Sequence, residues 1–191
     1  MIRQASSTRI RLLLQAHAGE IERGSKVLDI GCGNGLISRA IAKTYSCDIH
    51  GADIENHLEH DVPFHAIVDG RIDVPDQSFD VALFTDVLHH IEKDRQAGAI
   101  REGLRVSRKV LIFEQHPTIT AKVLDVVMIY ALYAGNMPLP LSHRGPDDWA
   151  QLIAADVRAT SRVKHVTSPI IYPLRHFSIM LERPRDAVVG A

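Results

Sequence analysis

Apolar positions along this chain follow two rhythms. The short apolar run at 26–30 has the mark of a strand covered on both faces, and further strands read at 48–53, 64–68, 80–84 and 110–114. Other stretches carry apolar residues three and four apart, the spacing of a helix with one buried face. They predict helices over 6–18 (Ile10, Leu13, Leu14, His17), 34–44 (Leu36, Ile37, Ala40, Ile41) and 93–105 (Ala97, Ile100, Leu104). After the fifth strand, 119–141 is the most apolar stretch, a helix from a Thr118 or Thr120 cap to about Ala134 with Gly135 ending it. Pro146, followed by Asp147 and Asp148, opens another helix to about Ala155, with Trp149 and Leu152 inward. The end reads as two strands, 162–168 and 176–182, and a frayed tail over 183–191. Strands alternating with helices predict an α/β fold: one domain over 1–191, a doubly wound, mostly parallel sheet with helices on both faces. The 54–63 connection is polar and short, so the crossover helix is expected to be truncated there.

Composition changes this picture little. A net charge of −1 without a basic block argues against a nucleic-acid footprint. Two cysteines, Cys32 and Cys47, lack the number for a disulfide framework and fit a reduced, cytoplasmic setting. No stretch reaches the ~18 apolar residues of a membrane span, and the first residues lack the pattern of a signal peptide. Monomer and homodimer both stay open. His50, His57, His60 and His65 crowd one region, but their spacing lacks metal-ligand form, so no metal site is expected.

The chemistry is concentrated in KVLDIGCGNG, residues 26–35. A buried strand runs into a glycine turn at Gly31, Gly33 and Gly35, which lets a ligand approach the backbone, and Asn34 offers a helix cap. Asp53 stands 22 residues after Gly31 at a strand end, where a carboxylate accepts ribose hydroxyls; Glu55 is the alternative acceptor. These features suit any nucleoside-bearing ligand. The pattern Asp29-x-Gly31-x-Gly33-x-Gly35 resembles motif I of the class I S-adenosylmethionine (SAM) dependent methyltransferases. A second run, IDVPDQSFD over 72–80, resembles their "LPFPDNSFD" segment through Pro75, Asp76, Ser78, Phe79 and Asp80. The TDVLHH run at 85–90 is similar to that of small-molecule members, including quinone- and sterol-methylating enzymes. Arg105–Lys109 departs from the family's Lys-Pro-Gly-Gly turn.

The resemblance implies SAM as cofactor and a seven-stranded sheet whose seventh strand is antiparallel between the fifth and sixth. It implies that Asp29 faces the ammonium group and that the turn, Cys32 included, cradles the methionine part. Asp53 and Ile54 would take the ribose side, Asp69 and Gly70 the adenine, and Thr85 and Asp86 the methionine part or the acceptor channel. N-terminal helices cover the cofactor in such enzymes, so the 1–24 segment either does this or simply packs on the sheet; 117–157 is the expected acceptor segment, with most of 119–141 a core helix and Tyr130, Tyr133, Met137, Pro138 and Leu139 lining the pocket. His89, His90 and His116 are candidate bases, of which at most one acts. His143 and Arg144 read as surface residues, with contact to an acceptor anion as the alternative. The expected reaction is in-line transfer of methyl to a small, partly apolar molecule. An NAD(P)-dependent oxidoreductase and a non-catalytic SAM-binding protein remain the alternatives.

Overall fold

The computed structural model describes residues 2–133, 141–169 and 172–182, with side chains over 7–127, 141–169 and 172–182. Tyr130, Tyr133, Gly135, Met137, Pro138 and Leu139, and the tail from 183, lie outside the described side chains. The strands are β1 (Lys26–Ile30), β2 (Asp48–Asp53), β3 (Phe64–Val68), β4 (Arg71–Ile72), β5 (Phe79–Thr85), β6 (Ser107–Gln115), β7 (Thr160–Val166) and β8 (His176–Glu182). The helices are α1 (Ile2–Ala16), α2 (Leu36–Tyr45), α3 (Gln96–Val106), α4 (Ile119–Tyr133) and α5 (Pro146–Leu152).

One sheet runs in the order β4-β3-β2-β1-β5-β6-β8-β7. The pairs among β3, β2, β1, β5 and β6 are parallel. β8 lies antiparallel between β6 and β7, the reversed strand that the resemblance implied. The sheet has eight strands rather than seven because β4 folds back on β3. Val68 pairs with Arg71 across the two-residue loop Asp69-Gly70, whose φ values are 50° and 76°. That is the Asp-Gly hairpin turn, in which both central residues take positive φ.

Alternation along β1 divides the core. Leu28 and Ile30 join Phe84, Ile100, Leu104, Trp149 and Phe177 on the α3/α5 face. Val27 joins Leu12, Leu13, Ile41, Leu83 and Phe113 on the α1/α2 face. Helix register follows the buried polar groups as well as the apolar ones. Leu36 was expected inward and is 42% exposed, while Ser38 is fully buried because it donates to Asp29. No described residues form a helix between β2 and β3, as the polar connection implied. In α4, Thr118 Oγ1 caps the Ala121 N–H at 3.1 Å. Ile119, Val123 and Val127 form an exposed apolar stripe along it.

Candidate functional site

Ligands of doubly wound sheets bind beyond the carboxyl ends of the parallel strands. Two constructions meet there. The first is built from backbone. β1 ends at Gly31, whose N–H donates to Ala52 O at 2.7 Å, and Gly31, Gly33 and Gly35 all take positive φ. A Cβ at Gly31 would overlap the Val87 side chain, so the turn can pass under the β5 loop only as glycine. Asn34 Oδ1 accepts the Leu36 N–H at 3.2 Å and starts α2.

Asp53, at the tip of β2, accepts N–H bonds from Gly33 at 3.0 Å and Ile54 at 2.8 Å. Its carboxylate is fixed by the turn and keeps lone pairs free. Beside it Ile54 is 67% exposed, an apolar side chain held at the strand end. Cys32 is buried, and its thiol is pushed up to about 12 by burial and by the charges of Asp29 and Asp53. Asp29 is buried on the α2 side, where Ser38 Oγ donates to it at 2.6 Å. Burial raises its carboxyl to about 6 against the opposing Ser38 hydrogen bond. Asp69 and Gly70 are exposed at the hairpin tip.

The second construction is built from side chains at the ends of β5, β6 and β8. Thr85 is 6% exposed, and its Oγ1 has no hydrogen-bond partner among the described residues. Asp86, at φ 49°, lies 3.3 Å from Arg9 Nε of α1 and 3.4 Å from His176 Nε2. Burial opposes its charge, but His176 and Arg9 outweigh that and hold the carboxyl below its usual range. His176 is sandwiched by Phe113 at 4.5 Å and Tyr172 at 5.9 Å.

Next to this lies a histidine–carboxylate cluster. Glu114 Oε1 accepts the N–H groups of Val87 (3.1 Å) and Leu88 (2.8 Å). Its Oε2 accepts His89 Nδ1–H at 2.6 Å. His89 Nε2 faces Asp125 Oδ2 of α4 at 3.4 Å, and His143 Nε2 is 2.9 Å from the same oxygen. Gln115 Nε2 donates to both Asp125 oxygens, at 2.8 and 2.7 Å. Burial disfavours the His89 imidazolium, but Glu114 and then Asp125 overcome it and raise His89 to about 9. His90, with its ring 4.1 Å from His89, is pushed down to about 4 by burial and by that charge.

The three candidate bases thus sit in different surroundings. His89 is bound to Glu114, His90 is neutral with an unpartnered Nδ1, and His116 packs on His165 and Phe177. His143 is 8% exposed, so the expected surface position is corrected: the 141–145 segment turns inward, its Ser142 N–H donating to His89 O. Arg144 Nε donates to Gln96 Oε1 at 2.6 Å, and its guanidinium lies over Trp149, which ties this segment to α3. The expected histidine crowd resolves into a stacked pair, His50 on His65, with His57 3.2 Å from Glu55. Sequence reasoning did not single out Arg9, Asp125 or His176 as site residues. Arg9 and Asp125 are single charges on helices with no local motif around them, and His176 opens a strand.

Comparison with known proteins agrees with the geometry. A methyltransferase-domain family model matches residues 1–108. A ubiquinone biosynthesis O-methyltransferase of Idiomarina loihiensis is 26% identical over 117 residues, covering 54% of this chain and 48% of its own. The chain thus spans about half the length of that curated relative. Among solved structures, a cyclopropane-fatty-acyl-phospholipid synthase-like protein of Lactobacillus casei superposes with TM-score 0.68 at 17% identity, over 95% of this chain and 91% of that one. A SAM-dependent methyltransferase of Archaeoglobus fulgidus gives 0.66 at 13% identity, covering 94% of both chains. A third, from Aquifex aeolicus, gives 0.63 at 14%, over 91% and 88%. At such identities the solved structures speak for the fold alone. The family match covers the strand–glycine turn–helix and the β5 end, and it sets the nicotinamide alternative aside: the chain belongs to the methyltransferase-domain family.

Proposed function

We propose that the protein transfers the SAM methyl group to a small, partly apolar acceptor by in-line displacement. The observation that carries this reading is the Asp53 carboxylate, locked by the Gly33 and Ile54 N–H groups one strand away from the glycine turn. It presents fixed acceptors for two ribose hydroxyls. Ile54 offers an apolar face to the adenine, and Asp69 with the Gly70 N–H lies at the tip of the neighbouring β3–β4 hairpin. At the other end, Thr85 Oγ1, Asp86 and His176 carry buried polar atoms without hydrogen-bond partners among the described residues. Buried polar groups are ordinarily paired, so these mark a place for a polar ligand. Arg9 and Asp86 suit the carboxylate and ammonium of the methionine part. Asp29 reaches that group only through the turn that it supports.

Bound SAM supplies a methyl on a sulfonium whose departure leaves a neutral thioether. The chain contributes alignment, worth ~7–11 kcal/mol of barrier when the geometry is near attack, and it excludes water. The acceptor lies toward 117–157, where α4 carries its apolar stripe. The name of the Idiomarina relative, an O-methyltransferase of ubiquinone biosynthesis, supports an apolar acceptor with a reacting oxygen. Where that oxygen has a proton to lose, His90 is the base, because it is neutral and its Nδ1 is unengaged, while His89 is held by Glu114.

Titration calorimetry with S-adenosylhomocysteine tests the cofactor site. The parent should bind it and not NADH. Asp53→Ala should lose roughly 10–100-fold, the size of a charge-assisted hydrogen-bond pair. Unchanged affinity would sink the ribose assignment. His90→Gln should lower kcat on a hydroxylated acceptor more than His89→Gln or His116→Gln.

A further inference from the structure

The cluster at the acceptor end brings two imidazoles onto one carboxylate oxygen. Glu114 accepts the His89 Nδ1–H, and His89 Nε2, buried and without a hydrogen-bond partner, is aimed at the Asp125 carboxylate 3.4 Å away. On the other side, His143 Nε2 stands 2.9 Å from Asp125 Oδ2 and 3.2 Å from Gln115 Nε2. His143 Nδ1 is buried without a partner. The three side chains are 1%, 15% and 0% exposed for His89, Asp125 and His143, so the converging atoms are shielded from bulk water.

We propose that His89, Asp125 and His143 form a binding site for a divalent transition-metal ion of the zinc class. The three ligand atoms lie within 4.8 Å of one another. Metal–nitrogen and metal–oxygen bonds of ~2.0–2.2 Å in a tetrahedral site put ligand atoms roughly 3.3 Å apart, and the observed 3.4 and 2.9 Å require little movement. Two imidazoles with one carboxylate suit zinc and its neighbours, not calcium or magnesium, which prefer oxygen. The supporting groups are also present. Glu114 fixes the His89 ring through Nδ1–H, leaving Nε2 for the metal, and Gln115 holds Asp125 through both oxygens. Carboxylate–histidine–metal arrangements use this outer layer to set the tautomer and orientation.

The ligands come from three separate segments: the 3-10 turn Leu88–His90 after β5, helix α4, and the 141–145 stretch that enters α5. An ion there would tie α4, with its exposed apolar stripe, to the sheet and order the acceptor side. The site differs from the histidine crowd at 50–65 that the sequence brought forward.

The full chain, stripped with a chelator, is titrated with Zn2+ against a chromophoric competitor, and with Co2+ in the visible range. One equivalent should bind, and Co2+ should give the intense d–d absorption of a low-coordinate nitrogen/oxygen site. Asp125→Asn and His143→Gln should each lose at least ~100-fold in affinity, and Glu114→Gln should lose ~10–100-fold. Zn2+ should also slow tryptic cleavage at exposed Lys122 of α4. S-adenosylhomocysteine binding by Asp125→Asn shows that this variant is folded and keeps this test apart from the cofactor reading. A parent that binds no stoichiometric ion, or variants that bind as tightly as the parent, would overturn the site; a proton then bridges His89 and Asp125.

Discussion

The two ends of the binding edge are made from different materials. At β1 and β2, Asp53 is satisfied by the N–H groups of Gly33 and Ile54, within one strand–turn–helix–strand unit. At β5 and β6, Glu114 holds His89, Asp125 meets His143, and Asp86 meets Arg9 and His176. Backbone groups are supplied by every residue, so the first end depends on conformation and tolerates few added atoms. Charged side chains must satisfy one another in a low dielectric, so the second end depends on every member being present.

The contrast is broken most directly at Glu114. Its carboxylate, 2% exposed, accepts two backbone N–H groups and the His89 Nδ1–H. Glu114→Ala leaves all three unsatisfied and should cost about 3–5 kcal/mol in urea unfolding, the scale for stranding a buried charge. Glu114→Gln keeps an acceptor and should cost less than half of that. A cost below ~1 kcal/mol for the alanine variant would mean that the cluster is not a cooperative unit.

Gly31 tests the backbone-built end. At φ 78° an alanine is strained by roughly 1–2 kcal/mol, and its Cβ would overlap Val87 besides. Overpacking of that kind adds ~1–3 kcal/mol. Gly31→Ala should therefore cost about 3 kcal/mol in the same denaturation, with S-adenosylhomocysteine affinity lost in what remains folded. Shortening the overlapped side chain (Val87→Ala) should recover part of the loss, because the Val87 backbone N–H still donates to Glu114. No recovery would mean that backbone strain alone is responsible.

That difference in material explains what could be read from the chain. The strand–turn–helix at 26–45 and the carboxylate 22 residues on are local, so spacing alone reveals them. The parallel strands were legible as apolar runs, and β8 between β6 and β7 followed from the family likeness. β4 was missed because two residues carry no periodicity, although Asp-Gly at 69–70 is itself a hairpin signal. Ser38 broke the helix pattern because Asp29 needed a donor, a demand that only tertiary packing creates. The histidine–carboxylate cluster joins residues 89, 114, 125 and 143, and Arg9 reaches Asp86 from the other end of the chain. No motif spacing relates them. His143 read as a surface residue because its polar neighbours hide the fact that the loop turns inward.

Asp29 stands between the two regimes: a side chain buried inside the backbone-built end. Its folded carboxyl titrates at about 6, against an ordinary value of 3.8. Raised in the folded state, it favours folding while protonated. The contribution is full below about pH 3.8 and is lost as pH rises through about 6, in all roughly 2–3 kcal/mol at 1.36 kcal/mol per unit. Asp29→Asn should flatten the stability profile between those pH values and leave the variant more stable at pH 8. S-adenosylhomocysteine offers a finer cut. If its ammonium lies near Asp29, saturating ligand should bind more tightly on the high-pH side of this transition in the parent, and not in Asp29→Asn. Equal pH dependence in the two proteins would confine Asp29 to support of the turn.

The smallest effect separates two jobs at one residue. Asp69 occupies a left-handed position, φ 50°, at the tip of the β3–β4 hairpin, and it is exposed. Asparagine adopts that conformation as readily as aspartate, so Asp69→Asn preserves the turn and should leave stability within ~0.5 kcal/mol. It replaces a charged acceptor with a neutral amide. If the carboxylate accepts the adenine amino group, S-adenosylhomocysteine should weaken about 5–10-fold, near 1 kcal/mol. Asp69→Ala should weaken it similarly and lose about 1 kcal/mol of stability, because a β-carbon without a polar partner is strained at positive φ. Full affinity in Asp69→Asn would leave the residue as a turn former only. Adenine recognition would then rest on the Gly70 N–H and the exposed Ile54 side chain, making that end of the site still more a matter of backbone.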